Sequence, residues 1–189
     1  MAILKVARMG HPVLRKVARK LTAKEIESDK IQSLIENMIQ TMHEYGGIGL
    51  AAPQVHESIQ LAIIELDEQN DRYEGAKGQA LEVYINPKIT VIDTAEQAFW
   101  EGCLSVPELR GLVHRPRKIQ VDYLNRKGKA KKIVAEGFLA TVFQHELDHL
   151  SGMLFIQRMK EMSKLSFIDE YQRYWAKDEE DDSEGSLED

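Results

Sequence analysis

The stretch Gly137 to Gly152, GFLATVFQHELDHLSG, sets the tightest limit on what this chain can fold into. Wound as a helix at about 100° per residue, it puts Phe138, Thr141, Val142 and His149 within about 60° of His145. Leu139, Phe143, Leu147 and Leu150 fall between about 120° and 200° from it and make a second apolar face. A helix apolar on two sides is not a surface helix; it needs protein around it. One face packs a core while the other lines a pocket that ends in two imidazoles. Glu146 stands on the border, where its carboxylate can reach over the pocket.

The remaining segments must supply that enclosure. Ile31, Leu34, Ile35, Met38, Ile39, Met42 and Tyr45 recur at three- and four-residue steps, so residues 31–45 read as an amphipathic helix. Thr22 and Glu25 have capping-box spacing and mark its start, and Gly46–Gly47 stop it. A shorter helix is expected around HPVLRKVARKL. The middle of the chain changes period: SIQLAIIELD, LEVYINP, KITVID, AFWEG and KIQVDYL are short, β-branched or aromatic, and separated by turn residues. NRKGKAKKIVAEG reads as a hairpin turn with its return strand, Asp67–Ala80 as a surface loop, and KEMSKLSFIDEYQRYWAK as a last helix. Helices, then strands, then helices predict an α+β fold: mostly antiparallel sheets around the buried helix that carries the two histidines, with a C-terminal helix.

Charge is unevenly distributed. The last thirteen residues carry eight acids against one lysine, a net of −7, which leaves the other 176 residues at +1. Residues 1–176 therefore read as one domain and 177–189 as an acidic, disordered tail. No basic stripe favours nucleic acid, and no apolar run reaches the roughly 18–20 residues of a membrane span. With no secretory apolar core at the start and a single cysteine, a cytoplasmic protein is the expectation.

The string HExxH at His145–His149 on such a helix is a far more specific metal signature than two histidines alone. His11, His43, His56 and His114 have no motif around them and read as structural or solvated. Two ligands leave a catalytic site one short. The extended form HExxHxxGxxH is excluded, because its last position here is Phe155. Two candidates remain. Glu170 lies downstream in FIDEY and would make a metallopeptidase. Cys103 lies in EGCLSVPE, between Gly102, which permits close backbone approach, and Pro107, which ends a strand ladder. With two histidines it would leave one of four positions open.

GIGLAAPQ (Gly47–Gln54), EGCLS (Glu101–Ser105) and QHELDH (Gln144–His149) together resemble the three signature motifs of the peptide deformylases, bacterial and Gram-negative-like in their helical C-terminal segment. The resemblance covers roughly residues 3–160. It implies Cys103, His145 and His149 as metal ligands and Glu146 as general acid–base. It implies hydrolysis of the formyl group from the formyl-methionine that begins new polypeptides, with release of formate. The side-chain amide of Gln54 and the backbone N–H of Leu104 would hold the oxyanion. Ile48, Gly49 and Gly102 would pair with substrate backbone, and Phe138, Thr141, Val142 and Trp100 or its neighbours would receive the methionine side chain. The resemblance also pairs Arg110 with Glu101. Ligand softness alone suits zinc; the family implies Fe(2+), with Zn(2+), Ni(2+) or Co(2+) able to replace it. Family members of this type associate with the ribosome, but a tail of net −7 opposes docking on RNA through that end.

Overall fold

The computed structural model describes residues 2–66 and 78–176. The chain starts extended, with one 3-10 turn at Pro12–Arg15 where a short helix was expected. Helices α1 (Ala23–Ile26) and α2 (Asp29–Glu44) follow. The Thr22–Glu25 capping box is real, but it opens α1; α2 has its own cap, the Ser28 hydroxyl accepting from the Ile31 N–H. Strands β1 (Gly49–Ala51), β2 (Leu61–Leu66), β3 (Gln79–Cys103), β4 (Val106–Leu124) and β5 (Ala130–Glu136) then lie antiparallel in that order. Helix α3 (Phe138–Leu150), strand β6 (Leu165–Phe167) and helix α4 (Ile168–Tyr174) complete the described chain.

β2 explains the layering. Its residues Leu61 and Ile63 join α2 in one cluster, while Ala62, Ile64 and Leu66 join α3 in another. A strand buried on both faces needs a continuous apolar run, which LAII supplies. The sheet is thus held between two helices. Every residue of α3 is buried, as its two apolar faces require.

Three expected strands prove to be one. LEVYINP, KITVID and AFWEG all belong to β3, which changes register against β4 between Ile85 and Lys88, Val91 and Asp93, Asp93 and Glu96, and Glu101 and Cys103. The first shift carries Asn86 at φ 50° and Pro87, which has no N–H to give to the ladder. The bends let β4 pair with β5 through Lys118–Leu124 and with β6 through Leu109–Gly111.

The last helix is shorter than its periodicity suggests. A 3-10 turn at Met162–Lys164 and β6 take up the first half of that segment, because pairing with β4 satisfies its backbone there. In the expected loop Asp67–Ala80, Gln79 and Ala80 already belong to β3; residues 67–77, like the acidic tail, lie outside the described residues. Among the described residues no helix is long and apolar enough to cross a membrane.

Candidate metal centre

Two elements converge on the site. Cys103 ends β3 and is followed by a two-residue turn, Leu104–Ser105, before β4. α3 brings His145 and His149 one helical turn apart on the same face. Cys103 Sγ lies 3.3 Å from His149 Nε2, and one ligand atom from each of Cys103, His145 and His149 falls within 4.8 Å of the others. All three residues are buried. Glu170 is not in this group; it sits half-exposed on α4, 3.4 Å from Arg173.

The surrounding groups prepare the trio for a cation. Burial pushes the Cys103 thiol up, but the two imidazoles outweigh it and hold it well below its ordinary range. Burial likewise lowers His145, and the thiolate and Glu101 overcome it. Glu101 Oε2 sits 2.7 Å from His145 Nδ1, which leaves Nε2 as the nitrogen able to ligate. Glu101 is itself held by Arg115, at 2.5 and 3.0 Å. Arg115 also donates to Asp148 at 2.8 Å, and Arg158 closes the chain on Asp148 at 2.6 Å. A thiolate and two buried imidazoles, that of His145 oriented by Glu101, form a donor set that fits a borderline divalent metal.

Glu146 is enclosed beside the trio. Its Oε2 is buried without a hydrogen-bonding partner among the described residues. Burial raises its carboxyl above the ordinary range, against the pull of the two imidazoles. A Cβ at Gly49 would come within 2.6 Å of its Oε1, so that glycine makes room for the carboxylate. Gln54 is fixed by the Ala51 N–H donating to its Oε1 at 2.8 Å. That turns its Nε2 toward Ser105 Oγ (3.3 Å) and Cys103 Sγ (3.6 Å), donor side to the site.

The model of the family described as polypeptide deformylase matches residues 3–165. The chain belongs to the peptide deformylase family. A peptide deformylase of Halothermothrix orenii is 45% identical over 159 residues, 84% of this chain and 95% of its own. One from Leptospira biflexa is 38% identical over 160 residues, 85% of this chain and 89% of its own. Among solved structures, the Met-Ala-Ser-bound class I type b peptide deformylase of Acinetobacter baumannii superposes with a TM-score of 0.78 at 38% identity, covering 83% of this chain and 98% of that one. The actinonin complex of the Synechococcus elongatus enzyme gives 0.75 at 37% identity, covering 85% and 81%. As a deformylase the chain is an enzyme.

Two sequence expectations need correction within this deformylase site. The partner of Glu101 is Arg115. Arg110 donates to the Leu109 carbonyl, and its guanidinium occupies the space where a side chain at Gly102 would stand. The register explains this: Glu101 faces Gly111 across the ladder, and Arg115 reaches it from farther along β4. Trp100 does not face the pocket. Phe99 and Glu101 point toward α3, so Trp100 takes the opposite side and packs against Tyr171 (4.9 Å) and Trp175 (5.7 Å). Its neighbour Phe99 meets Phe138 edge-on at 5.3 Å. Phe138, Thr141 and Val142 lie together on α3 as the helical period predicts. Ile48 is part-buried against the α3 cluster. Arg115, Asp148 and Ser105 escaped the sequence reading. Asp148 carried a signal, since it sits inside HELDH on a helix with no exposed face.

Proposed function

We propose that this enzyme removes the formyl group from the N-terminal formyl-methionine of newly made polypeptides, releasing formate and a free amine. The observation that carries the reading is a buried carboxylate, Glu146, whose Oε2 has no hydrogen-bonding partner among the described residues, beside Cys103, His145 and His149. Those three would hold one divalent ion. When bound, the ion polarises the formyl oxygen and makes water more acidic.

Glu146 takes the proton of the attacking water and returns it to the departing amine. Its raised carboxyl suits both directions of transfer. Gln54 Nε2 and the Leu104 N–H donate to the oxyanion of the tetrahedral intermediate. The substrate runs as an added strand along the backbone of Ile48, Gly49 and Gly102. Its methionine side chain enters between Phe138, Thr141 and Val142, with Phe99 in the place expected of Trp100.

The test is formate release from formyl-Met-Ala-Ser, with anaerobic metal analysis of wild type and Cys103→Ala in parallel. Wild type releases formate and holds one metal per chain, and the variant loses both. A Cys103→Ala protein with full metal content overturns the ligand set. For the cell we assign Fe(2+), with Zn(2+), Ni(2+) and Co(2+) able to occupy the same donors. A ferrous centre against a thiolate is sensitive to oxygen, so air should oxidise Cys103 and abolish activity. Unchanged activity and thiol after exposure argue for zinc.

A further inference from the structure

We propose that the N-terminal segment Ala7–Met9 is a strap that positions the two oxyanion donors relative to each other. The proposal rests on the reading above, in which Gln54 and Leu104 face the substrate oxygen. The Ala7 N–H donates to the Gln54 carbonyl at 2.7 Å, and the Met9 N–H donates to the Ser105 carbonyl at 2.7 Å. Two loops far apart in sequence are therefore tied together by three residues. The strap is anchored on α2 by Ala2 N–H to Asn37 Oδ1 and Leu4 N–H to Thr41 Oγ1, both 2.8 Å.

The loop that carries Leu104 needs such a tie. Cys103 pairs with Val106, so Leu104–Ser105 is a two-residue hairpin turn. Turns of that length match the twist of their strands when a central residue is left-handed, commonly glycine or asparagine. Neither Leu104 nor Ser105 has a positive φ. The turn therefore lacks the left-handed residue that commonly closes a loop of this length. Ser105 is fully buried, so its carbonyl requires a protein partner, and Met9 is that partner. On the other loop, Ala51 fixes the side chain of Gln54 while Ala7 fixes its backbone.

Removing single donors tests the strap. Met9 is the second residue of a turn closed by His11 N–H to Arg8 O at 3.0 Å, with Gly10 at φ 103°. That is the pattern of a type II turn, which favours proline at the position of Met9. The Met9 side chain is 48% exposed, so Met9→Pro deletes one N–H and little packing. At Ala7, the α-hydroxy analogue introduced by nonsense suppression replaces the N–H with an ester oxygen. In the metal-loaded full-length enzyme each change should lower kcat by about 10- to 100-fold, with KM and metal content near wild type. The ester at Ala7 should have no further effect in Gln54→Ala, because the group it positions is gone. Thr41→Val, which loosens only the outer anchor, should lower Tm and leave kcat intact.

Wild-type kcat in both donor-deleted proteins overturns the strap. So does a fall in kcat that is matched in both donor-deleted proteins by an equal loss of folded, metal-loaded enzyme, since the segment would then act only through global stability. Gln54→Ala separates the two levels. Full turnover in that variant sinks the oxyanion reading, whereas impaired turnover beside intact strap variants sinks the strap alone.

Discussion

On one face of β2, Leu61 and Ile63 meet Ile35, Met38 and Met42 of α2 in a cluster without a buried charge. On the other face, Ala62 and Ile64 meet α3, whose length carries His145, Glu146, Asp148 and His149, all buried. α2 keeps a wet side and is bounded by its own caps. α3 has no wet side, and its polar groups depend on residues delivered by β3 and β4. The first helix is stabilised by removing methyl groups from water. The second adds a chain of ionic contacts, Glu101–Arg115–Asp148–Arg158, that fixes where His145 points. One face therefore carries stability that is indifferent to chemistry, and the other couples the two.

Substitutions on the α3 side should move catalysis more than they move folding. Glu146→Gln keeps the shape and the proposed metal ligands but removes the carboxylate proposed as acid–base. Turnover should fall by roughly 10²–10⁴, with metal content unchanged by elemental analysis. Gln54→Ala should retain its metal and lose roughly 10²–10³ in turnover, the cost typical of one oxyanion donor. Steady-state kinetics on formyl-Met-Ala-Ser reads both. Wild-type turnover in either variant removes that residue from the mechanism.

Arg115→Ala strikes at the coupling itself. Both carboxylates that it holds, Glu101 and Asp148, would be left in a buried site with one partner fewer. Loss of a partner in such a setting costs about 3–5 kcal/mol. Because Glu101 orients His145, metal affinity should also drop by about 10- to 100-fold. Urea unfolding and competition with a chelator measure the two separately. A loss of stability with undiminished metal affinity would show that the ionic chain holds the fold without aiming the ligands.

How much of this the sequence disclosed follows the same division. α2 was readable because its burial has one period and one side, and α3 because its two faces could be drawn on a helical wheel. The grouping of Cys103 with His145 and His149 was readable from the two motifs that carry them. Arg115 was not, since strand register decides which arginine of LRGLVHR reaches Glu101, and register depends on bulges that local composition does not mark. Trp100 went wrong for a related reason: a strand covered on both sides gives an aromatic residue no obvious inward face. The strap at Ala7–Met9 acts through main-chain donors, so it leaves no trace in residue type.

The α2 side offers the converse test. Ile35 is fully buried against the sheet and distant in role from every group above. Ile35→Ala should cost about 2–5 kcal/mol by denaturant unfolding. Below its melting range, kcat per folded molecule and metal content should match wild type. A fall in kcat would mean that packing on the two faces of β2 is mechanically linked, and the division drawn here would fail.

The smallest effect belongs to the surface anchor before α2. Glu25 accepts from Arg19 and from the backbone and hydroxyl of Thr22, which hold its carboxyl at about 2 against an ordinary 4.5. A depressed carboxyl contributes stability above its unfolded value and loses it as pH falls toward the folded one. The difference in Tm between wild type and Glu25→Gln should therefore be full at pH 6 and shrink as the pH falls from 4.5 toward 2. Since the group is exposed, added salt should reduce the difference at pH 6 as well. Formate release per folded molecule should not change, because α1 touches neither the donors of the metal nor those of the oxyanion. A salt-insensitive difference would show that Glu25 acts through its capping bonds rather than through its charge on Arg19.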